Sequence, residues 1–187
     1  MMDLIAKILT DYEDRIIDGA SSWKSVAAVL VPLYLDGGEL GVILIRRTAS
    51  ERIHGGQMGF PGGMVQENDG PDLLRTALRE TEEELGILPS DVGVLGKLSV
   101  RNTVVSRILV APFVGSIPWP YLFTPDPSEV QSVHRSSVRD LLRTQVEAEM
   151  HFDFPPPVYQ VDDQPVWGLT ARILNEFSEV IGAAMKS

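Results

Sequence analysis

Residues 60–87, FPGGMVQENDGPDLLRTALRETEEELGI, constrain this chain more than any other stretch. A Pro-Gly-Gly turn opens it. The apolar spacing that follows predicts a helix over 72–85, and Gly86 stands where a C-cap belongs. At about 100° per residue, Leu74, Ala77, Leu78, Thr81 and Leu85 share one arc. The adjoining arc carries Arg79, Glu80, Glu83 and Glu84, while Glu82 points away to solvent. One face can therefore enter a core while its neighbour presents three carboxylates and a guanidinium.

A solvated surface helix carries such charges cheaply, at about 0.2–0.5 kcal/mol per like pair four residues apart. Acids nevertheless favour the first turn of a helix, and here they crowd the last turns, against the macrodipole. The other reading is a hard-cation site. Mg²⁺ and Mn²⁺ take oxygen ligands, usually one or two carboxylates plus water and substrate phosphates. The helix alone leaves both readings open.

The rest of the chain frames that helix. Residues 3–17 place Leu4, Ile5, Ile8, Leu9, Tyr12 and Ile16 at three-to-four spacing, an amphipathic helix. VAAVLVPLYL (26–35) and LGVILIRR (40–47) are aliphatic and β-branched runs joined by Asp-Gly-Gly-Glu, the pattern of a strand pair. Pro32 marks an edge or a bulge. A short strand is expected near Met58–Phe60. VGVLGKLSVRNTVV and RILVAPFVGSI supply two or three more strands. Two proline-rich loops, PWPYLFTPDPSEV and HFDFPPPVYQ, flank a helix expected over 136–149. A hairpin around Asp162–Pro165 comes next. A helix over 169–185, striped by Ile173, Phe177, Val180 and Ile181, closes the sequence. Helices before, within and after a run of strands predict an α/β layered domain with a mixed sheet.

With 187 residues, 44% of them hydrophobic, the chain can bury one core, so a single domain over 1–187 is expected. No cysteine is present, which excludes disulfides, zinc–thiolate sites and a thiol nucleophile. The net charge of -10 argues against a broad basic face for nucleic acid, but not against a small anionic substrate reached through a cation. No P-loop, dinucleotide glycine pattern or G-x-S-x-G serine is found. The first residues read as neither a signal peptide nor a membrane span. A cytoplasmic location with no nucleic-acid or membrane partner is expected, and a homodimer stays open. Phe60, Met58, Met64, Trp119 and Trp167 read as packing residues. His134 and His151 stand in no constellation.

The stretch 60–87 resembles the Nudix box, G-x5-E-x7-R-E-U-x-E-E-x-G-U with U apolar. RETEEELGI matches it in register at Arg79, Glu80, Glu83, Glu84, Gly86 and Ile87, with Gly63 as the opening glycine. Two departures stand out. The run from Gly63 to Arg79 is two residues longer than the pattern, so the early glutamate has no clean counterpart; Glu67 and Asp69 are the nearby acids. Thr81 occupies a position that is usually apolar. The resemblance implies a Nudix-type α/β/α sandwich and a Mg²⁺ or Mn²⁺ cofactor held by Glu80, Glu83 and Glu84. It also implies that Arg79 orients a glutamate and that Glu80 can serve as the base for an attacking water. The substrate would be a small-molecule diphosphate.

Upstream, ILIRRTASERIHGGQMGFPGG is similar to the segment that marks coenzyme A diphosphatases within that family. The match covers Arg52, Gly56 and Phe60-Pro61-Gly62-Gly63, with His54 and Gln57 fitting and Ile43–Thr48 fitting loosely. This implies substrate contacts at Arg46, Arg47, Arg52, Gly62 and Gly63; the arginine pair could receive the coenzyme A 3′-phosphate. The loop FVGSIPWPYLFTPDPSEV resembles the one that brings a further acid, here Glu129, near the metals. The resemblance runs from about residue 26 to 181 and leaves the first helix, within 1–20, outside it. Other substrates implied by the family are ADP-ribose and NADH, and a Nudix fold can also serve as a binding module without turnover.

Overall fold

The computed structural model describes residues 1–12, 16–17, 25–50, 54–103, 108–145 and 158–184. In chain order, α1 (Met2–Asp11) and β1 (Ile16–Ile17) precede the long strands β2 (Ser25–Asp36) and β3 (Glu39–Arg47). Short strands β4 (Met58–Gly59) and β5 (Gly62–Met64) and a 3-10 turn at Glu67–Asp69 lead into α2 (Leu73–Leu85). Next come β6 (Gly93–Lys97), β7 (Val100–Asn102), β8 (Ile108–Ser116), β9 (Val130–Ser137) and α3 (Val138–Arg143). The hairpin β10 (Tyr159–Val161) and β11 (Gln164–Val166) and the helix α4 (Gly168–Ala184) complete it.

The main sheet is mixed. Its central path runs β1-β7-β8-β2-β3-β4, with β5 on β2, β6 on β8 and β9 on β3. β2 lies parallel to β8 from Ser25 to Leu33 and antiparallel to β3 from Leu33 to Asp36. Successive side chains of a strand point to opposite faces, and both faces here are covered. Val31, Leu33, Val42 and Leu44 pack with α1, α3, α4 and the hairpin. Ala28, Leu30, Ile43 and Ile45 pack with α2 and the loop after β8. That double burial explains why VAAVLVPLYL reads as an unbroken apolar run. The architecture is the expected α/β/α sandwich with a mixed sheet.

Several elements differ from the sequence reading. The first helix ends at Asp11; Ile16–Ile17 instead pairs in parallel with Val100–Arg101. A β-branched pair suits a strand, and a free sheet edge outweighs the helical spacing. Pro32 is on an interior strand, not an edge. Its missing N–H falls between the β5 pairing, which ends at Val29, and the β3 pairing, which starts at Leu33. The region expected to turn helical at 136 begins as strand: β9 runs antiparallel to β3 along Gly41–Arg47. Its helix starts only at Val138, where the Ser137 hydroxyl accepts the Asp140 N–H at 3.0 Å, and it ends at Arg143. The hairpin turns at Asp162 and Asp163, both at positive φ as a two-residue turn requires. Among the described residues, no helix is long and apolar enough to cross a membrane.

Candidate active site

Helix α2 delivers the carboxylates. Asp72 caps its start by accepting the Leu74 N–H at 3.0 Å, and Gly86 ends it at φ 69° with its N–H on the Glu82 carbonyl at 2.8 Å. Ala77, Thr81 and Leu85 face the sheet and are fully buried, and the Thr81 hydroxyl is absorbed by the Ala77 carbonyl at 2.7 Å. A threonine thus fills the apolar position without an unpaired polar atom. Glu84 is fully buried as well. Two donors hold it: Arg47 Nη1 reaches Oε1 at 2.8 Å and the Gly62 N–H reaches Oε2 at 2.8 Å. Arg47 Nη2 also donates to the Gly62 carbonyl at 2.9 Å.

The paired glycines are needed sterically. Gly62 has φ 149°, and a side chain there would overlap the Ala28 carbonyl oxygen. At Gly63 the Glu80 carboxylate occupies the space that a Cβ would take.

The loop between β8 and β9 brings the third acid. A helix leaves its last carbonyls unpaired. Here the Thr124 N–H satisfies Leu85 O at 2.9 Å and the Asp126 N–H satisfies Glu84 O at 3.1 Å. Tyr121 adds a clasp, accepting the Leu88 N–H at 3.1 Å and donating to Asp91 at 2.8 Å. The loop is therefore fixed to the end of α2, and Glu129 follows three residues after Asp126 with its carbonyl bound by the Thr48 N–H at 2.9 Å. Glu80, Glu84 and Glu129 each place a carboxylate oxygen within 4.8 Å of the other two.

Three carboxylates this close repel one another, and two of them are shielded from water. Burial pushes the Glu84 carboxyl up to about 7, against the pull of Arg47 and the Gly62 N–H and with a further push from Glu80. Burial also raises Glu80; Arg79 opposes the rise, and Glu83 and Glu129 add to it. A divalent cation would relieve both penalties, and the all-oxygen donor set fits a hard ion. Glu83, expected as a ligand, is not in this cluster. It is 55% exposed and its Oε2 accepts from Arg79 Nη1 at 2.8 Å. Neighbours on a helix diverge by about 100°, so Glu83 and Glu84 cannot face the same ion equally well.

Arg79 sits at a second hub. It bridges Glu80 at 2.8 Å and Glu83 at 2.8 Å, and reaches buried Asp69 through Nε at 2.7 Å and Nη2 at 3.0 Å. Asp69 also accepts the Gln66 N–H at 2.9 Å and the Thr76 hydroxyl at 2.8 Å. The Arg79 contact, joined by these, holds its carboxyl well below the usual carboxylate range in spite of burial. Asp69 is the early acid left unassigned in the sequence. The signal was present: it lies six residues after Gly63, the spacing of the box, so the two extra residues fall between Asp69 and Arg79.

The remaining expected contacts separate. Arg46 Nε donates to the Gly56 carbonyl at 3.3 Å, on the strand beside Arg47. Arg52 and His151 lie outside the described residues. His134 does have partners: Asp162 at 2.7 Å and the Ser132 hydroxyl at 2.7 Å, which pin the hairpin turn to β9. Trp119 stacks on Tyr34 with ring centroids 4.0 Å apart, a packing role. Met64 is exposed, unlike buried Met58 and Phe60. Trp167 is half-buried and borders a cavity of about 320 Å³ instead of filling the core. Met58, Phe60, Ile108, Val110 and Ile173 give that cavity an apolar lining, and Gly62 and Gly63 form part of its wall. The same two glycines thus lie against the acid cluster and against the cavity.

The family model of the NUDIX domain matches residues 24–155. The chain is a Nudix hydrolase. It is 33% identical over 177 residues to the uncharacterized Nudix hydrolase NudL of Citrobacter koseri, covering 89% of this chain and 88% of that one. It is 36% identical over 170 residues to Nudix hydrolase 22, chloroplastic, of Arabidopsis thaliana, covering 83% of this chain and 55% of the plant protein. Solved Nudix structures share the fold at lower identity. A C. elegans Ap4A hydrolase binary complex has TM-score 0.57 at 20% identity, with 85% of this chain and 98% of that chain covered. The NUDIX domain of Shewanella oneidensis NrtR, complexed with ADP ribose, has TM-score 0.56 at 18% identity, with 93% and 96% covered. Nudix hydrolases use divalent metal ions, and the acid cluster of this chain can hold one.

Proposed function

We propose that this Nudix hydrolase cleaves the diphosphate of coenzyme A or its thioesters, with Mg²⁺ or Mn²⁺ as cofactor. The products are 4′-phosphopantetheine, or its acyl form, and adenosine 3′,5′-bisphosphate. The observation that carries the hydrolytic reading is the meeting of Glu80, Glu84 and Glu129, with Glu80 against Gly63 and Glu84 on the Gly62 N–H. A divalent ion held by Glu80, Glu84 and Glu129 would neutralise charge on phosphoryl oxygens and lower the pKa of a bound water. Glu80 takes the proton of the attacking water, which adds to one phosphorus as the bridging P–O bond breaks and a phosphate ester leaves. Arg79, fixed by Asp69, orients the Glu80 carboxylate.

Support for coenzyme A comes from the sequence ahead of the box, Arg52-x3-Gly56-x3-Phe60-Pro61-Gly62-Gly63. The adjoining apolar cavity suits an uncharged end of such a substrate. Of the arginines, Arg46 is assigned to the 3′-phosphate, together with Arg52, since a guanidinium binds phosphate through two parallel hydrogen bonds.

The test is product analysis by liquid chromatography and mass spectrometry with coenzyme A, dephospho-coenzyme A, acetyl-coenzyme A, ADP-ribose and NADH, with and without Mg²⁺ or Mn²⁺. Metal-dependent release of adenosine 3′,5′-bisphosphate from coenzyme A is expected. Loss of charge-assisted bonds to the 3′-phosphate should lower kcat/KM for dephospho-coenzyme A by about 10–100-fold. Preferred cleavage of ADP-ribose or NADH overturns the substrate assignment. Thermal stabilisation by a ligand without any product overturns turnover itself in favour of a binding module.

A second prediction concerns Asp69. Asp69→Asn keeps the shape but removes the charge that anchors Arg79. Partners that orient metal-site groups typically matter by about 10–100-fold, so kcat should fall by that factor. An unchanged kcat in the folded variant would remove Asp69 from the catalytic network.

A further inference from the structure

Arg46 and Arg47 are neighbours on β3, and the sequence alone treats them alike. Their side chains do different things. Arg46 meets the Gly56 carbonyl in the loop after β3. Arg47 turns to α2 and spans two elements with one planar group: Nη1 holds Glu84 Oε1 at 2.8 Å, and Nη2 holds the Gly62 carbonyl of β5 at 2.9 Å. The Gly62 N–H returns to Glu84 Oε2 at 2.8 Å, closing a ring of three residues. Each carboxylate oxygen can accept more than one bond, so Glu84 can be held by these donors and still present lone pairs to a cation.

We infer that Arg47 is a positioning residue of the metal site: it fixes the Glu84 carboxylate and the Gly62–Gly63 strand relative to each other, and it does not receive a substrate phosphate. A phosphate that drew the Arg47 fork away would leave Glu84 buried with one oxygen unmatched. The ring also sets the distance between Glu84 on the helix and Gly63, where Glu80 lies, so two of the three cluster acids depend on it. A lysine cannot reproduce the clamp, because its ammonium lacks the rigid fork. The inference rests on the reading of Glu80, Glu84 and Glu129 as the metal site.

The experiment is Mn²⁺ titration of the substrate-free chain, with free Mn²⁺ followed by electron paramagnetic resonance. Wild type, R47K and R46K are compared, and circular dichroism checks each fold. R47K keeps the charge and loses the fork, so Mn²⁺ binding should weaken by about 10–100-fold, the usual effect of removing an outer-shell partner. R46K, the same change one residue away, should bind Mn²⁺ as wild type does. At saturating Mn²⁺, R47K should lose kcat while KM for coenzyme A stays within about twofold, since uniform substrate binding is untouched. If R47K does not fold, R47Q is read in its place. Loss of a positive charge by itself favours a cation, so weaker Mn²⁺ binding by R47Q marks the loss of the held carboxylate. Wild-type Mn²⁺ affinity in the folded variant, with a raised KM, overturns the inference and returns Arg47 to the substrate. No Mn²⁺ binding by the wild-type chain overturns the metal reading itself, and the inference falls with it.

Discussion

Substitution of Glu84 by glutamine is expected to lower kcat for diphosphate hydrolysis by about a thousandfold, roughly 4 kcal/mol of transition-state stabilisation. Glu84 is the most enclosed acid of the cluster, and both its oxygens are oriented by donors. Glutamine keeps the volume and loses the anion. It also cannot satisfy both neighbours. Arg47 Nη1 and the Gly62 N–H are donors, so whichever way the amide turns, its NH₂ group faces one of them. A mismatched buried donor costs about 1–3 kcal/mol, which a domain of ordinary stability survives. The variant should therefore be folded by circular dichroism, melt at a lower temperature and turn over about a thousandfold more slowly in steady-state assays with saturating metal. A folded Glu84→Gln chain within tenfold of wild-type kcat would take Glu84 out of the site.

How much of this was legible in the sequence differs from residue to residue. α2 was, because its apolar arc and the C-cap glycine Gly86 are local features that agree with one another. The long strands β2 and β3 were too, because aliphatic runs of that length bounded by turn residues leave little choice. Glu129 came from a resemblance, and the structure places it beside Glu80 and Glu84. Glu83 shows the limit of a helical wheel. The wheel groups side chains by direction, but it cannot say which carboxylates meet Glu129; Arg79 pairs with both Glu80 and Glu83, and of these two only Glu80 lies in the cluster. The strand β9 was hidden because only Val130 and Val133 mark it, and its identity comes from pairing with β3, a non-local cause. The separate roles of Arg46 and Arg47 were hidden for the same reason. Adjacent residues on a strand face opposite sides of the sheet, and only the partner elements tell which side holds α2.

The largest expected loss of stability lies away from the site. Glu176 of α4 is buried and joins three elements: Oε1 accepts the Ser99 N–H at 2.7 Å and the Tyr12 hydroxyl at 2.8 Å, and Oε2 accepts from Arg101 Nη2 at 2.7 Å and Nε at 2.9 Å. Burial alone would raise its carboxyl, but the bonds from Ser99, Arg101 and Tyr12 outweigh it and hold the group below its ordinary value of 4.5. Glu176→Gln leaves Arg101 with a neutral partner, and whichever way the amide turns, its NH₂ faces a donor, either Arg101 or the Ser99 N–H. Breaking a buried ion pair from one side costs about 3–5 kcal/mol, so urea unfolding at pH 7 should show a loss of about 3 kcal/mol or more. The pH dependence fixes the cause. A carboxyl with a depressed folded value contributes stability that is present above its ordinary value and is lost as pH falls through the depressed one. The gap between wild type and Glu176→Gln should therefore be full at pH 6–7 and shrink once the pH drops below 4.5, where the carboxyl of the unfolded chain takes up its proton while the folded chain still keeps it ionised. A gap that stays constant down to pH 3 would assign the loss to packing at α4, not to the ion pair that ties α4 to β7 and the end of α1.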